Sequence, residues 1–221
     1  TASIQNKGGV VKIGDSEGRF DINFANLFGA TIKPWRPTTI KEVRDTLSQW
    51  NPENPDVINM YGIDGLASLS SQLDITEEGD KRGQLRAKEL HELCRKCCIE
   101  IAKYNKLVVF TNQERMTDYG VIAPGGKGVA YLASLRMRIQ KIKNIEIARS
   151  FNGKSIKRQI GIESKIKITK SSIDTHPREC SIYIIGGMVD DIRGNLTYLK
   201  DMHNLSKYPC VDKEFRVMNK A

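Results

Sequence analysis

The sequence predicts an α/β fold, with a largely parallel central sheet flanked by helices and antiparallel strands extending it in the C-terminal half. Three observations predict it. Apolar runs of strand length recur at Val10–Ile13, Val57–Ile63 and Leu107–Thr111, and each leads into acidic or amide residues. Helical segments lie between these runs, and strand–helix–strand alternation favours parallel pairing through crossovers. From Leu135 the pattern changes to period-two alternation, which suits antiparallel hairpins.

Each element has a local reason. Val10–Ile13 is β-branched and stops at Gly14, as a buried strand would. Asp21–Phe28 carries Ile22, Phe24, Ala25, Leu27 and Phe28 before Gly29, the composition of a short helix with a glycine stop. Thr39 suits the N-cap of a helix from Ile40 to about Trp50, and Asn51-Pro52 and Asn54-Pro55 end it. A polar loop from Ser70 to Gly83 follows the second strand. The next helix spans Gln84–Tyr104, with Leu90, Leu93, Cys94, Cys97, Cys98, Ile101 and Ala102 as its expected buried stripe. Arg115–Lys127 reads as a glycine-containing loop and Gly128–Ala133 as a short helix. Leu135–Ile142, Gln159–Thr169 and Ser181–Ile185 read as strands, and one helix is expected after Asp190.

Composition narrows the function classes. With 221 residues and 39% hydrophobic content, the chain can bury a substantial core, and it has no apolar run of membrane-spanning length. A cytoplasmic, non-membrane protein is expected. Five cysteines, three of them at Cys94, Cys97 and Cys98, do not form a disulfide framework in a chain this long. His91 and Cys94 share a helical face but lack a second ligand pair at metal spacing, so core packing is the expected role of the thiols. From Lys127 to Lys170 there are twelve Lys or Arg against two Glu, a surplus larger than the +9 of the whole chain. So basic a segment suits a polyanion, because each neutralised phosphate releases a counterion. An ordinary solvated hairpin face is the alternative.

The polar residues at the strand ends suggest phosphate chemistry. Asp64 ends a buried strand, where a carboxylate can reach a Mg²⁺ ion through its water shell. Glu17, just past the neighbouring strand, suits a general base for an attacking water. Gln113, past the third strand, offers an uncharged amide that can sense a terminal phosphate and pass that state to the loop behind it.

The order of these segments resembles the RecA-type strand-exchange recombinases. GDSEGRFDINFANLFGA resembles the family's segment with the catalytic Glu and the adenine contacts, and GIDGLASL its Walker B strand. VVFTNQERM and PGGKGVAYLASLRMRI resemble the two sides of its second DNA-binding loop, and KIKITKSSI the strand whose lysine reaches a neighbour's nucleotide. The resemblance covers about Ile4 to Gly187. It implies a RecA-like P-loop NTPase core over 1–189 and a C-terminal helical appendage over 190–221. It implies ATP and Mg²⁺ as cofactors, and single-stranded and double-stranded DNA as partners. A homo-oligomer, filament or ring, and a nucleoid-associated location are also implied by it. By position, it implies Glu17 as base, Asp64 as Walker B acid and metal residue, Gln113 as γ-phosphate sensor and Lys170 as the cation acting in trans. Asp21 and Phe24 match the adenine contacts, and Arg115, Gly125, Gly126 and Lys127 the DNA loop. Ser70–Gly83 would be the first DNA loop.

The sequence also departs from the family pattern. The phosphate loop G-x-x-x-x-G-K-[ST] is expected one helix before the first strand, ahead of Thr1. ARSFNGKS at Ala148–Ser155 imitates it, but the residues after Ser155 alternate as a strand and offer no helix N-terminus. Ser172 stands where many bacterial relatives have a second lysine, and the N-terminal segment that links protomers is not seen. A non-catalytic RecA-like paralogue or accessory DNA-binding protein is therefore the competing reading. A hexameric replicative helicase is a weaker one.

Overall fold

β1 (Val11–Asp15), β2 (Asn59–Asp64) and β3 (Lys106–Phe110) form a parallel sheet in the order β1-β2-β3. They belong to a computed structural model that describes residues 1–71, 82–117, 120–174 and 178–201. The chain divides into two units, Thr1–Ala133 and Ser134–Ala221. In the first, the register pairs Asp15 with Asp64 and Ile63 with Phe110, so all three strands end together and deliver their polar termini to one edge.

The period of two sorts the strand residues onto two faces. Tyr61, Ile63, Val108 and Phe110 face the larger core, formed with α3 (Ile40–Gln49) and α4 (Arg82–Tyr104). Val11, Ile13 and Met60 face the other side, in a smaller cluster with Ala2 of α1 (Ala2–Gln5) and Ala25 of α2 (Ile22–Leu27). Leu107 and Val109 lie on that second face and stay exposed. Trp35 adds a short parallel bridge beside Gly14, extending the β1 edge.

Helix ends match the sequence signals. Thr39 accepts from the Glu42 backbone while the Glu42 carboxylate reaches back to the Thr39 backbone, a reciprocal capping box that starts α3. Glu42 is held below the ordinary carboxylate range chiefly by the Thr38 backbone N–H, against the opposing effect of burial. The expected stripe on α4 needs correction: Leu90, Leu93, Cys94 and Cys97 are buried, but Cys98, Ile101 and Ala102 are exposed. The stripe continues instead at Glu100, one turn beyond Cys97. This carboxylate is buried because Lys106, whose ammonium is fully enclosed, pairs with it at 3.3 Å.

The second unit is an antiparallel sheet of β6 (Leu135–Phe151), β7 (Lys154–Ser171), β8 (Glu179–Ile185) and β9 (Met188–Val189), in that order. α6 (Asp191–Asp201) comes next and contacts β8 through Tyr183, whose hydroxyl lies 3.2 Å from that of Thr197. The expected strands Leu135–Ile142 and Gln159–Thr169 are the lower parts of one much longer hairpin. ARSFNGKS forms its end: Asn152 and Gly153 both take positive φ, 51° and 74°, as a two-residue turn between twisted strands demands. The segment is thus a hairpin tip, and the rejected phosphate-loop match has its structural explanation. Among the described residues, no helix is long and apolar enough to cross a membrane.

Candidate active site

The common edge of β1, β2 and β3 gathers Glu17, Asp64 and Gln113. Gln113 Nε2 donates to Glu17 Oε1 at 3.0 Å. Thr111 Oγ1 donates to Asp64 Oδ1 at 2.5 Å. Gly65 lies between these two pairs: a Cβ built on it would stand 3.2 Å from both Glu17 Oε1 and Thr111 Oγ1. No side chain larger than hydrogen fits there without displacing one of the two groups. The Asp64–Gly65 peptide bond is cis.

Supporting contacts hold this edge in place. Ser16 N donates to the Asp64 carbonyl at 2.8 Å, and the Ser16 hydroxyl accepts from Gly65 N at 3.0 Å. Ser68 Oγ donates to the Gly65 carbonyl at 2.8 Å. Arg86 on α4 donates to the carbonyls of Leu66 and Ala67 at 2.9 and 2.7 Å, which fastens the turn after Asp64. Asn112 donates its amide to the Pro124 carbonyl at 2.7 Å, tying the end of β3 to the far side of the loop that Gln113 enters. Ser16, Thr111, Asn112 and Arg86 were not candidates from sequence. Their roles depend on partners remote along the chain; only the clustering of Ser, Thr and Asn at strand ends hinted at them.

Two acids at the end of β1 divide the work. Asp15 is buried, and burial alone would raise its pKa, but backbone N–H groups of Phe20, Arg19 and Gly18, with the charge of Arg36, hold it below the ordinary range. It is a structural anion that shapes the following turn. Glu17 is one-fifth exposed, with Arg19 at 3.8 Å, so its carboxylate is open to water and to a ligand.

Asp64 is exposed and uses one oxygen toward Thr111. Among the described residues, no group of three or more His, Cys, Asp or Glu converges as a protein-only metal cage. A single open carboxylate instead fits Mg²⁺, which keeps most of its waters and is bound by one or two carboxylates plus substrate phosphates.

The other candidates lie elsewhere. Asp21 is the N-cap of α2 and accepts from Phe24 N at 2.9 Å, while the exposed Phe24 ring packs edge-on against Phe28 at 5.0 Å. Arg115 begins β4 (Arg115–Thr117), which pairs with β5 (Gly120–Ile122). The expected irregular loop is therefore a small hairpin over part of its length. Gly125, at φ 110°, caps α5 (Gly126–Leu132), and a Cβ there would meet Leu90 at 2.9 Å. Gly125 and Gly126 thus let α5 approach α4, while Lys127 is exposed. Lys170 lies in the second unit, on β7 opposite Arg136. Most of the expected first DNA loop, 72–81, lies outside the described residues, as does the chain after 201.

The RecA N-terminal domain model matches residues 1–189. The chain belongs to the RecA family. It is 27% identical to Protein RecA of Rippkaea orientalis over 198 residues, covering 84% of this chain and 53% of that protein. To Protein RecA of Azoarcus sp. it is 27% identical, covering 84% and 54%. To that of Acholeplasma laidlawii strain PG-8A it is 29% identical, covering 84% and 56%. The chain spans about half the length of the RecA proteins it matches. The sheet edge where Glu17, Asp64 and Gln113 meet lies within the span matched to the RecA N-terminal domain.

Proposed function

We propose that this chain is the ATPase core of a DNA recombinase that coats single-stranded DNA and promotes pairing and strand exchange with a duplex. The observation that carries the reading is the Glu17–Gln113 hydrogen bond beside Asp64, at the ends of three parallel strands. In open α/β sheets, ligands bind in the crevice outside those carboxyl ends. Glu17 accepts the proton of the attacking water. Asp64, oriented by Thr111, would hold Mg²⁺ through water, and Mg²⁺ would supply charge neutralisation on the phosphate oxygens. Gln113 exchanges its bond to Glu17 for one to the terminal phosphate, which frees the carboxylate for the water.

In this reading ATP lies between adjacent protomers, with Asp21 and Phe24 at adenine and Lys170 of a neighbour facing the phosphates, as an arginine finger does. The segment from Gln113 to Lys127, pinned by Asn112 to Pro124, responds to that state and presents Arg115 and Lys127 to single-stranded DNA.

The test is ATP hydrolysis with and without single-stranded DNA. Stimulated turnover is expected, and its absence leaves the non-catalytic paralogue. Directional unwinding of a forked duplex would favour the helicase. Replacing Arg115 and Lys127 together with Ala should lower the salt slope of single-strand binding by about one to two. An unchanged slope removes them from the footprint.

A further inference from the structure

The β6–β7 hairpin outgrows the sheet that carries it. β8 pairs with β7 only over Gly161–Lys167. Beyond Gly161 and the buried Ile145 opposite it, the two strands pair only with each other, to the Asn152-Gly153 turn. Residues 154–160 of β7 thus form one side of a two-stranded arm roughly 23 Å long, at ~3.3 Å per residue. Two-stranded ribbons without a covered face are marginal in water, so an arm this long and uncovered calls for a partner.

Its two faces differ. Cross-strand partners share a face, and the register pairs Ile147 with Arg158 and Arg149 with Ile156, with Lys154 next in line. Cations and isoleucines therefore alternate on that face, and Ile147 and Ile156 are 40% and 55% exposed. Glu146, Gln159, Ala148, Lys157, Ser150 and Ser155 occupy the other face, which is polar and has one cation and one carboxylate. Among the described residues, no carboxylate pairs with Arg149, Lys154 or Arg158, whereas lower on the hairpin Lys143 and Lys165 are bound to Glu163 and Glu179.

We infer that this arm binds duplex DNA, laying its Arg149–Lys154–Arg158 face in the major groove. That groove admits a two-stranded ribbon, while the A-form RNA groove is too deep and narrow for side chains to read. Successive same-face positions advance about 6.8 Å along a strand, which spaces the cations to meet separate phosphates on the strands that border the groove. The isoleucines suit thymine methyl groups, the apolar feature of that groove. None of the arm's residues is among those assigned to nucleotide and single-strand contact; the inference rests on the proposed recombinase reading for its ligand but does not depend on ATP hydrolysis.

The experiment is a fluorescence anisotropy titration of the full chain, without nucleotide, against a labelled duplex and its isolated single strand over a range of salt. The triple substitution Arg149→Ala, Lys154→Ala, Arg158→Ala should weaken duplex binding at least tenfold and lower its log–log salt slope by about two to three. Single-strand binding should stay within about twofold, and Lys157→Ala, on the opposite face, should change duplex binding less than twofold. Unchanged duplex binding would mean that the cations only guard the ribbon's edges against aggregation. Equal losses for both ligands would reduce the arm to general electrostatics. Either result overturns the inference, as does a wild-type chain that fails to bind duplex. A second measurement needs no variant: the wild-type chain should protect guanine N7 in the duplex from dimethyl sulfate, and unprotected N7 excludes the major groove. DNA-stimulated turnover is scored separately, so failure of the arm and failure of the ATPase reading are distinct outcomes.

Discussion

The side-chain amide of Gln113 donates to a Glu17 carboxylate oxygen at 3.0 Å, joining the ends of β3 and β1 past the intervening β2. In the proposed mechanism Glu17 carries the charge and Gln113 reports on the phosphate. Glu17→Gln keeps the shape but removes the proposed base, so turnover should fall by about two orders of magnitude or more with nucleotide binding retained. Gln113→Glu removes the amide donor and sets a second carboxylate against the first, so turnover should fall by roughly tenfold or more while Gln113→Asn, which keeps an amide, loses less. Steady-state turnover of the three variants checks this, and wild-type turnover in Gln113→Glu would separate Gln113 from the reaction.

Thr111 orients Asp64 through one hydrogen bond to a charged acceptor. Thr111→Val keeps the volume and deletes the donor. Such a bond is worth about 1.5 kcal/mol or more, so turnover at limiting Mg²⁺ should drop roughly tenfold. The Mg²⁺ concentration for half-maximal rate should rise while urea stability barely changes, because Asp64 is exposed. An unchanged Mg²⁺ titration would show that Asp64 needs no such positioning.

Much of this site was legible because strand ends announce themselves. Apolar runs that lead into Glu17, Asp64 and Gln113 place those residues at one sheet edge once the strands are parallel, and the register does so. The Thr39 cap and Cys94 and Cys97 in the core were equally plain from local pattern. The features that escaped depend on distant partners. Glu100 reads as a surface residue until Lys106 is seen folding back onto it. β4 and β5 are short and hold only three pairs, too few for alternation to register. The length of the β6–β7 hairpin was obscured where register shifts near Lys141 and Ile145 break the period of two. Asn152-Gly153 is the strongest turn signal of the segment, but it sits inside an imitation phosphate loop.

Gly128 packs under His91: a Cβ at that position would stand 2.5 Å from His91 Cδ2. His91 of α4 therefore lies directly over Gly128 of α5. Gly128→Ala improves helix propensity by about 1 kcal/mol but should still destabilise the chain, because overpacking costs about 1–3 kcal/mol. Adding His91→Ala removes the obstruction, and the double variant should recover most of the loss. Urea unfolding of the four proteins in the cycle gives the coupling. Additive effects would deny the contact.

Lys106 is enclosed between α4 and the end of α3, where its ammonium meets Glu100 Oε2 and the Leu47 carbonyl, each at 3.3 Å, and lies 4.6 Å from the Tyr104 ring centroid. Burial holds the Lys106 pKa below the ordinary lysine range despite the pull of Glu100. For Glu100, burial opposes ionisation but the hydrogen bond and charge of Lys106 prevail, so its pKa is lowered. Its contribution to stability is thus present above the ordinary carboxylate pKa and lost as pH falls through the folded value. Glu100→Gln strands a buried ammonium, which should cost roughly 3 kcal/mol at neutral pH. The Lys106 pKa then drops further below its unfolded value, so the folded state releases its proton first and stability rises with pH across that gap. The deficit against wild type should therefore shrink as pH is raised from about 7 toward 10, when the ammonium loses its charge. Urea unfolding at several pH values reads this directly. A deficit independent of pH would mean that Glu100 acts by packing, and that the buried charge is neutralised by another group.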